Sequence, residues 1–171
     1  MAELTLQERL QPALLDRLRD DEPDQRQEGR EKGVLSIQKL REVVLRDIGW
    51  LFNTTNFEAG ESLAAYPEVA RSVLNYGLPD LAGRTAAGTD PVTLERAIRD
   101  AILTFEPRIL RHSLQVRLSR QDGQMSHNAM TFDIEGELWA QPVPLHVYVR
   151  TEIDLDVGDV RVTDRAGSVA S

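Results

Sequence analysis

No cysteine occurs among the 171 residues, which removes a disulfide framework and a thiolate zinc site from consideration. Aromatic residues make up only 5% of the chain, so few rings are available to stack on a sugar. There is no dense Lys/Arg run, and a net charge of −8 with a pI near 4.9 opposes binding to phosphate backbones or anionic lipid. Nucleic acid is therefore not an expected partner. No apolar run approaches the roughly 18 to 20 residues that span a bilayer, and no cationic leader with an apolar stretch and a small-residue cleavage site opens the chain. The expectation is a soluble cytoplasmic protein with no direct membrane insertion, held together by packing.

What is present fits one globular domain with some polar sequence appended: 41% of residues are hydrophobic and 28% charged. Near the amino terminus Leu10, Leu14, Leu15 and Leu18 fall on one face of a short helix, with Pro12 in its first turn. The next stretch, from Asp20 to Gly33, has no large apolar residue and cannot offset its own ordering entropy by burial. These features predict a docking helix over residues 1–19, a charged linker over 20–33, a domain over 34–163 and a flexible tail over 164–171. An apolar stripe on a tether suits helix-in-groove recognition of a partner.

Within the domain, Ser36 can cap a helix in which Ile37, Leu40, Val44, Ile48 and Leu51 recur at helical spacing until near Asn53. A second helix is predicted from Pro67 through Val69, Val73 and Leu74 to a stop at Gly77 and Pro79. The third has the strongest pattern. Asp90 caps it, Pro91 opens it, and Leu94, Ala97, Ile98, Ala101, Ile102 and Phe105 follow on one face before Pro107 ends it.

Beyond Pro107 the period becomes twofold. Leu114, Val116 and Leu118 alternate with polar residues up to an Asp122-Gly123 turn signal, and Met130 to Ala140 alternate in the same way up to Gln141-Pro142-Val143-Pro144. Leu145 to Leu155 make a third strand, and after Gly158-Asp159 a short strand runs from Val160 to Thr163. The order implies an α+β fold: three main helices packed on one face of a small, mainly antiparallel sheet, with an extra amino-terminal amphipathic helix.

Catalytic chemistry finds little to build on. Two carboxylates roughly 5 to 9 Å apart beside a cleft would suit a glycoside hydrolase, here a muramidase. The candidates Asp133, Glu135, Glu137, Glu152, Asp154 and Asp156, however, occupy the solvent-facing positions that strand alternation requires to be polar. His112, His127 and His146 have no metal-ligand spacing, and no nucleophile elbow, phosphate loop or dinucleotide fingerprint occurs. No catalytic residue, metal ligand or cofactor is expected. Glu106-Pro107-Arg108 is chemically distinctive. Proline stiffens the junction between the strongest helix and the first strand and keeps Glu106 out of the helical region, which suits either recognition or a plain helix stop.

Glu106-Pro107-Arg108-Ile109 resembles the Glu-Pro-Arg signature of the baseplate wedge family called lysozyme-related. The resemblance extends to Leu10 through Leu18, Val43 to Asn53, Tyr66-Pro67-Glu68, and Ser72 through Leu81, and to the order of a helix, the tripeptide and a hairpin sheet. Those segments resemble in particular the TssE-like branch found in type VI secretion. The resemblance implies a structural role without enzymatic activity. TssE-like subunits join TssF and TssG in wedges of a cytoplasmic baseplate docked at the inner membrane, on which the contractile sheath of TssB and TssC grows. Partner-binding positions would then be Glu106, Pro107 and Arg108, with Leu10, Leu14, Leu15 and Leu18 on the amino-terminal helix. The alternatives are a peptidoglycan hydrolase and a small adaptor with no sheath-related role.

Overall fold

The computed structural model describes residues 37–119, 128–140 and 144–165, together with Asp16 and Leu18. The expected cap at Ser36, the leucines at positions 10, 14 and 15, the 20–33 linker, the Asp122-Gly123 turn, Gln141 to Val143 and most of the tail lie outside the described residues.

Among the described residues from 37 onward, three α-helices precede four strands: α1 (Ile37–Phe52), α2 (Pro67–Ala70), α3 (Pro91–Phe105), β1 (Gln115–Leu118), β2 (Ala129–Leu138), β3 (Leu145–Asp154) and β4 (Val160–Asp164). The strands form one antiparallel sheet in the order β1-β2-β3-β4, so the protein is α+β. Strand alternation sets the sheet's two faces. Phe132, Ile134, Leu138, Val147, Val149 and Ile153 point into the core, while Asp133 faces Arg150, and Glu137 faces His146, across the β2–β3 register.

The helical side of that core comes from α1 and α3. Val44, Ile48 and Leu51 of α1 join Leu94, Ile98 and Ile102 of α3 and the inward sheet residues in one buried cluster. α1 lies along β3 and β4, and α3 lies along β1. Asp90 caps α3, its carboxylate accepting from the backbone N–H of Val92 and Thr93, as its position before Pro91 predicts.

The second predicted helix is much shorter than expected. α2 is a single turn ending at Ala70, followed by a 3₁₀ turn over Val73–Asn75. Ser72 provides the physical reason: its backbone is extended (φ −88°, ψ 167°) and its hydroxyl accepts from Leu74 N–H, so a local side-chain bond replaces the next helical one. Val73 and Leu74 are left 79% and 70% exposed, and no residue of α2 is buried. Asn75 is buried instead, accepting from Glu58 N–H and donating to Ala70 O at 3.0 Å each.

Gly77 closes this region for a steric reason. Leu78 pairs with Thr55 through a parallel bridge, and Asn56 N–H donates to Leu78 O at 2.8 Å. At φ 126° a Cβ on Gly77 would lie 2.2 Å from Thr54 O, so only glycine fits. The edge strand β4 is fastened to α1 at two points. Asn53 both donates to Val160 O at 2.8 Å and accepts from Val160 N–H at 2.9 Å. Arg41 Nη2 donates to Asp164 Oδ1 at 2.8 Å.

Candidate functional site

α3 ends at Glu106, whose backbone leaves the helical region (φ −120°, ψ 74°) while its N–H still donates to Ile102 O. Pro107 forces that exit. The chain then runs beside the end of β2: Trp139 N–H donates to Arg108 O at 2.7 Å, Leu110 N–H donates to Glu137 O at 2.8 Å, and Ile109 bridges Leu138. Helix end, proline and sheet together hold the Glu106-Pro107-Arg108 backbone in one geometry.

The two charges of this junction pair with each other. Arg108 Nε donates to Glu106 Oε1 at 2.6 Å, its Nη2 donates to Oε2, and its backbone N–H reaches Oε1 at 3.2 Å. This two-pronged contact uses the planar guanidinium fork. Glu106 is 4% exposed, so it depends on that cation. Nη2 also donates to Asp47 Oδ2 at 2.6 Å. Burial works against the charge on Arg108, but the Glu106 and Asp47 carboxylates outweigh it and raise its pKa further above the ordinary value.

The ion pairs continue across α1. Asp47 Oδ1 accepts from Arg46 Nε at 3.0 Å and Nη2 at 2.8 Å, and Arg46 Nη1 donates to Asp16 Oδ1 at 2.6 Å. The Arg46 guanidinium lies 4.6 Å from the Trp50 ring centroid. Signs therefore alternate from Asp16 through Arg46, Asp47 and Arg108 to Glu106. Tyr76 packs edge-on against Phe105 with ring centroids 5.2 Å apart. Burial, then the charges of Asp47 and Glu106, push its hydroxyl pKa up. Arg46, Asp47, Trp50, Tyr76, Phe105 and Arg108 line an open concavity of 230 Å³, with Trp50 49% exposed at its rim.

Of the amino-terminal leucines only Leu18 is described; it is helical and 74% exposed. Sequence reasoning did not single out Asp47, Arg46 or Trp50. Asp47 lies 61 positions from Arg108, and a lone aspartate on a helix's polar face carries no local signal of such a partner.

Of the carboxylates considered for hydrolysis, Asp133, Glu137, Asp154 and Asp156 have partners within the domain. Asp133 accepts from Arg150 Nε at 3.0 Å and lies 3.4 Å from Arg165. Burial alone would raise its pKa, but the hydrogen bonds from Arg150 and Ser119 and the two arginine charges take it below the ordinary value. An acid held ionised in this way is the opposite of the raised-pKa proton donor that glycoside cleavage requires. Glu137 sits between His146 Nε2 at 3.3 Å and His112 Nε2 at 3.8 Å, a meeting that the sequence separation hides. Among the described residues no group of three His, Asp or Glu side chains is placed to hold a metal ion. No helix among them is long and apolar enough to cross a membrane.

The described residues thus form a small α+β domain that carries a network of paired charges at the junction of α1, α3 and β2. The chain belongs to the baseplate wedge protein gp25 family, whose model matches residues 38–143, well over half of its length. This is the family that includes TssE, and membership makes the protein a structural component of a phage-type or type VI secretion baseplate that contacts other baseplate proteins. No curated protein and no solved structure matches the chain.

Proposed function

We propose that the chain is a non-enzymatic, TssE-like wedge subunit of a type VI secretion baseplate. In this reading it joins TssF- and TssG-like subunits and helps start growth of the sheath formed by TssB and TssC, in the cytoplasm at a baseplate docked on the inner membrane. The observation that carries the proposal is the family match over residues 38–143, which covers α1 from its second residue, the Glu106-Pro107-Arg108 junction and β2. Residues 34–163 act as the wedge domain, residues 1–19 as a docking helix presenting Leu10, Leu14, Leu15 and Leu18 on the 20–33 tether, and residues 164–171 as a tail.

The junction's role follows from its rigidity. With Glu106 neutralised from within, a partner meets a fixed surface: Arg108, whose side chain is 25% exposed, and the Trp50 rim of the neighbouring concavity. An aromatic and an arginine beside a small depression are the residue types that dominate interface energetics. Apart from the Val160 groups taken by Asn53 and the Leu118 N–H taken by Glu95, the outer sides of β1 and β4, at the two ends of the sheet, offer backbone groups for pairing with a strand of a sheath subunit.

Co-expression with TssF- and TssG-like subunits tests the assignment. Stable co-purification of all three is expected, together with no release of fragments from peptidoglycan by the purified subunit. Turnover abolished by changing one carboxylate would replace the structural reading with the muramidase one. Folded subunit that fails to co-purify would leave only the family-level role.

A further inference from the structure

Asp16 belongs to the segment amino-terminal to the domain, yet it is fixed on α1 by an ion pair, 30 positions away in sequence, with Arg46. Its side chain is 16% exposed, against 30% for Arg46 and 21% for Asp47. One carboxylate oxygen accepts from Arg46; the other, Oδ2, is buried without a hydrogen-bond partner among the described residues. The contact is thus specific but incompletely satisfied, an arrangement suited to a reversible attachment rather than a permanent one. Two residues on, Leu18 is helical and largely exposed, so the Asp16 side of this helical turn faces α1 while Leu18 faces away.

We propose that Asp16 docks the amino-terminal segment in cis on α1 beside the Glu106–Arg108 junction and, by holding Arg46, positions the Asp47–Arg108 contact. The occupant of this face of α1 in the free subunit is therefore the chain's own amino-terminal segment. The geometry supports a positioning role because each link shares a side chain with the next: Arg46 bonds Asp16 through Nη1 while using Nε and Nη2 on Asp47 Oδ1, and Asp47 uses Oδ2 on Arg108. Removing Asp16 takes away one of the three bonds that hold the Arg46 guanidinium, and this loosens its stacking on Trp50. The functional consequence rests on the baseplate reading. A segment that also binds a wedge partner has to leave Arg46 first, so subunit and partner compete for it.

The free, full-length chain allows a test without any partner. In a Trp139→Phe background, Trp50 is the remaining tryptophan and reports on the Arg46 stack. Asp16→Asn is expected to shift Trp50 emission and to raise amide exchange in peptides covering residues 10–19 roughly tenfold, while α3 and the sheet exchange as before. Because the chain has no cysteine, Leu18→Cys can carry a single nitroxide. The label is expected to broaden the amide signals of α1 around Arg46, and Asp16→Asn is expected to abolish that broadening, with Asp16→Glu restoring part of it. Absence of broadening with Asp16 intact, or broadening and Trp50 emission unchanged by Asp16→Asn, would overturn the docking. These readouts involve the free chain alone, so a failure to co-purify with TssF- and TssG-like subunits would count against the baseplate reading and not against this contact.

Discussion

Replacing Arg108 by alanine leaves the Glu106 carboxylate, 4% exposed, without the guanidinium that donates to both of its oxygens. Breaking a buried pair from one side costs about 3 to 5 kcal/mol because the remaining charge stays desolvated. Arg108 itself is a quarter exposed, so water can partly replace it and the low end, about 3 kcal/mol, is the expected loss. For a chain of this size that corresponds to a fall in Tm of about 6 to 12 °C. The measurement is thermal melting of the isolated subunit, so the loss is read before any assembly defect. Pairing Arg108→Met with Glu106→Gln removes both charges, and this double variant should melt above Arg108→Ala, since the cost lies in the orphaned carboxylate. Arg108→Lys should fall between wild type and alanine, because an ammonium keeps the charge but cannot span both oxygens of Glu106 and also reach Asp47. An Arg108→Ala melt within about 3 °C of wild type would refute the reasoning, as it would place the pair among surface bridges worth about 0 to 1 kcal/mol.

Gly77→Ala should destabilise the subunit by at least about 2 kcal/mol in urea titration, combining a strained positive φ with a Cβ driven into Thr54 O; a variant as stable as wild type would show that the 54–78 pairing can open at no cost. Asp16, Asp90 and Asp133 all have pKa values below the ordinary 3.8, so the stability they contribute is present above that value and is lost as pH falls through their lower folded values. Urea midpoints should accordingly drop between pH 5 and pH 3, and an unchanged midpoint would contradict those assignments. Deleting residues 1–20 should leave cooperative unfolding intact, with α1 and α3 still packed on the sheet, while loss of a cooperative transition would make that segment part of the core.

α3 was fully legible in sequence because independent signals agree on it: an aspartate cap, a proline at the first position, an unbroken apolar face and a terminating proline. The strands were legible for a similar reason, since alternation in β2 and β3 continues for ten residues each and fixes which side is buried. α2 was overextended because Val69, Val73 and Leu74 fit helical spacing, whereas the outcome was decided by a single hydroxyl, that of Ser72, competing for a backbone N–H. At the candidate site the stiffness of Glu106-Pro107-Arg108 was readable from proline chemistry. Which charges the junction uses was not, because Asp47 reaches Arg108 only after α1 has packed beside the end of α3. His112 and His146 likewise meet at Glu137 through strand register and the turn before β1, and no spacing rule along the chain encodes that meeting.

The double fastening of β4 to α1 has a mechanical side. The Val160 end of the strand is held by Asn53 near the helix's last turn, and the Asp164 end by Arg41 near its first, so strand and helix run in opposite directions with a tie at each end. A pull applied along β4 loads its ladder to β3 in shear, where the hydrogen bonds must yield together, and the two ties pass part of that load into α1 and hence into the buried cluster. Peeling β4 away from one end is resisted at whichever end is chosen. In an assembly that changes length, an outer strand mounted in this way behaves as a strut: displacement taken up at the sheet's margin is passed through the whole domain, and the edge does not unravel first.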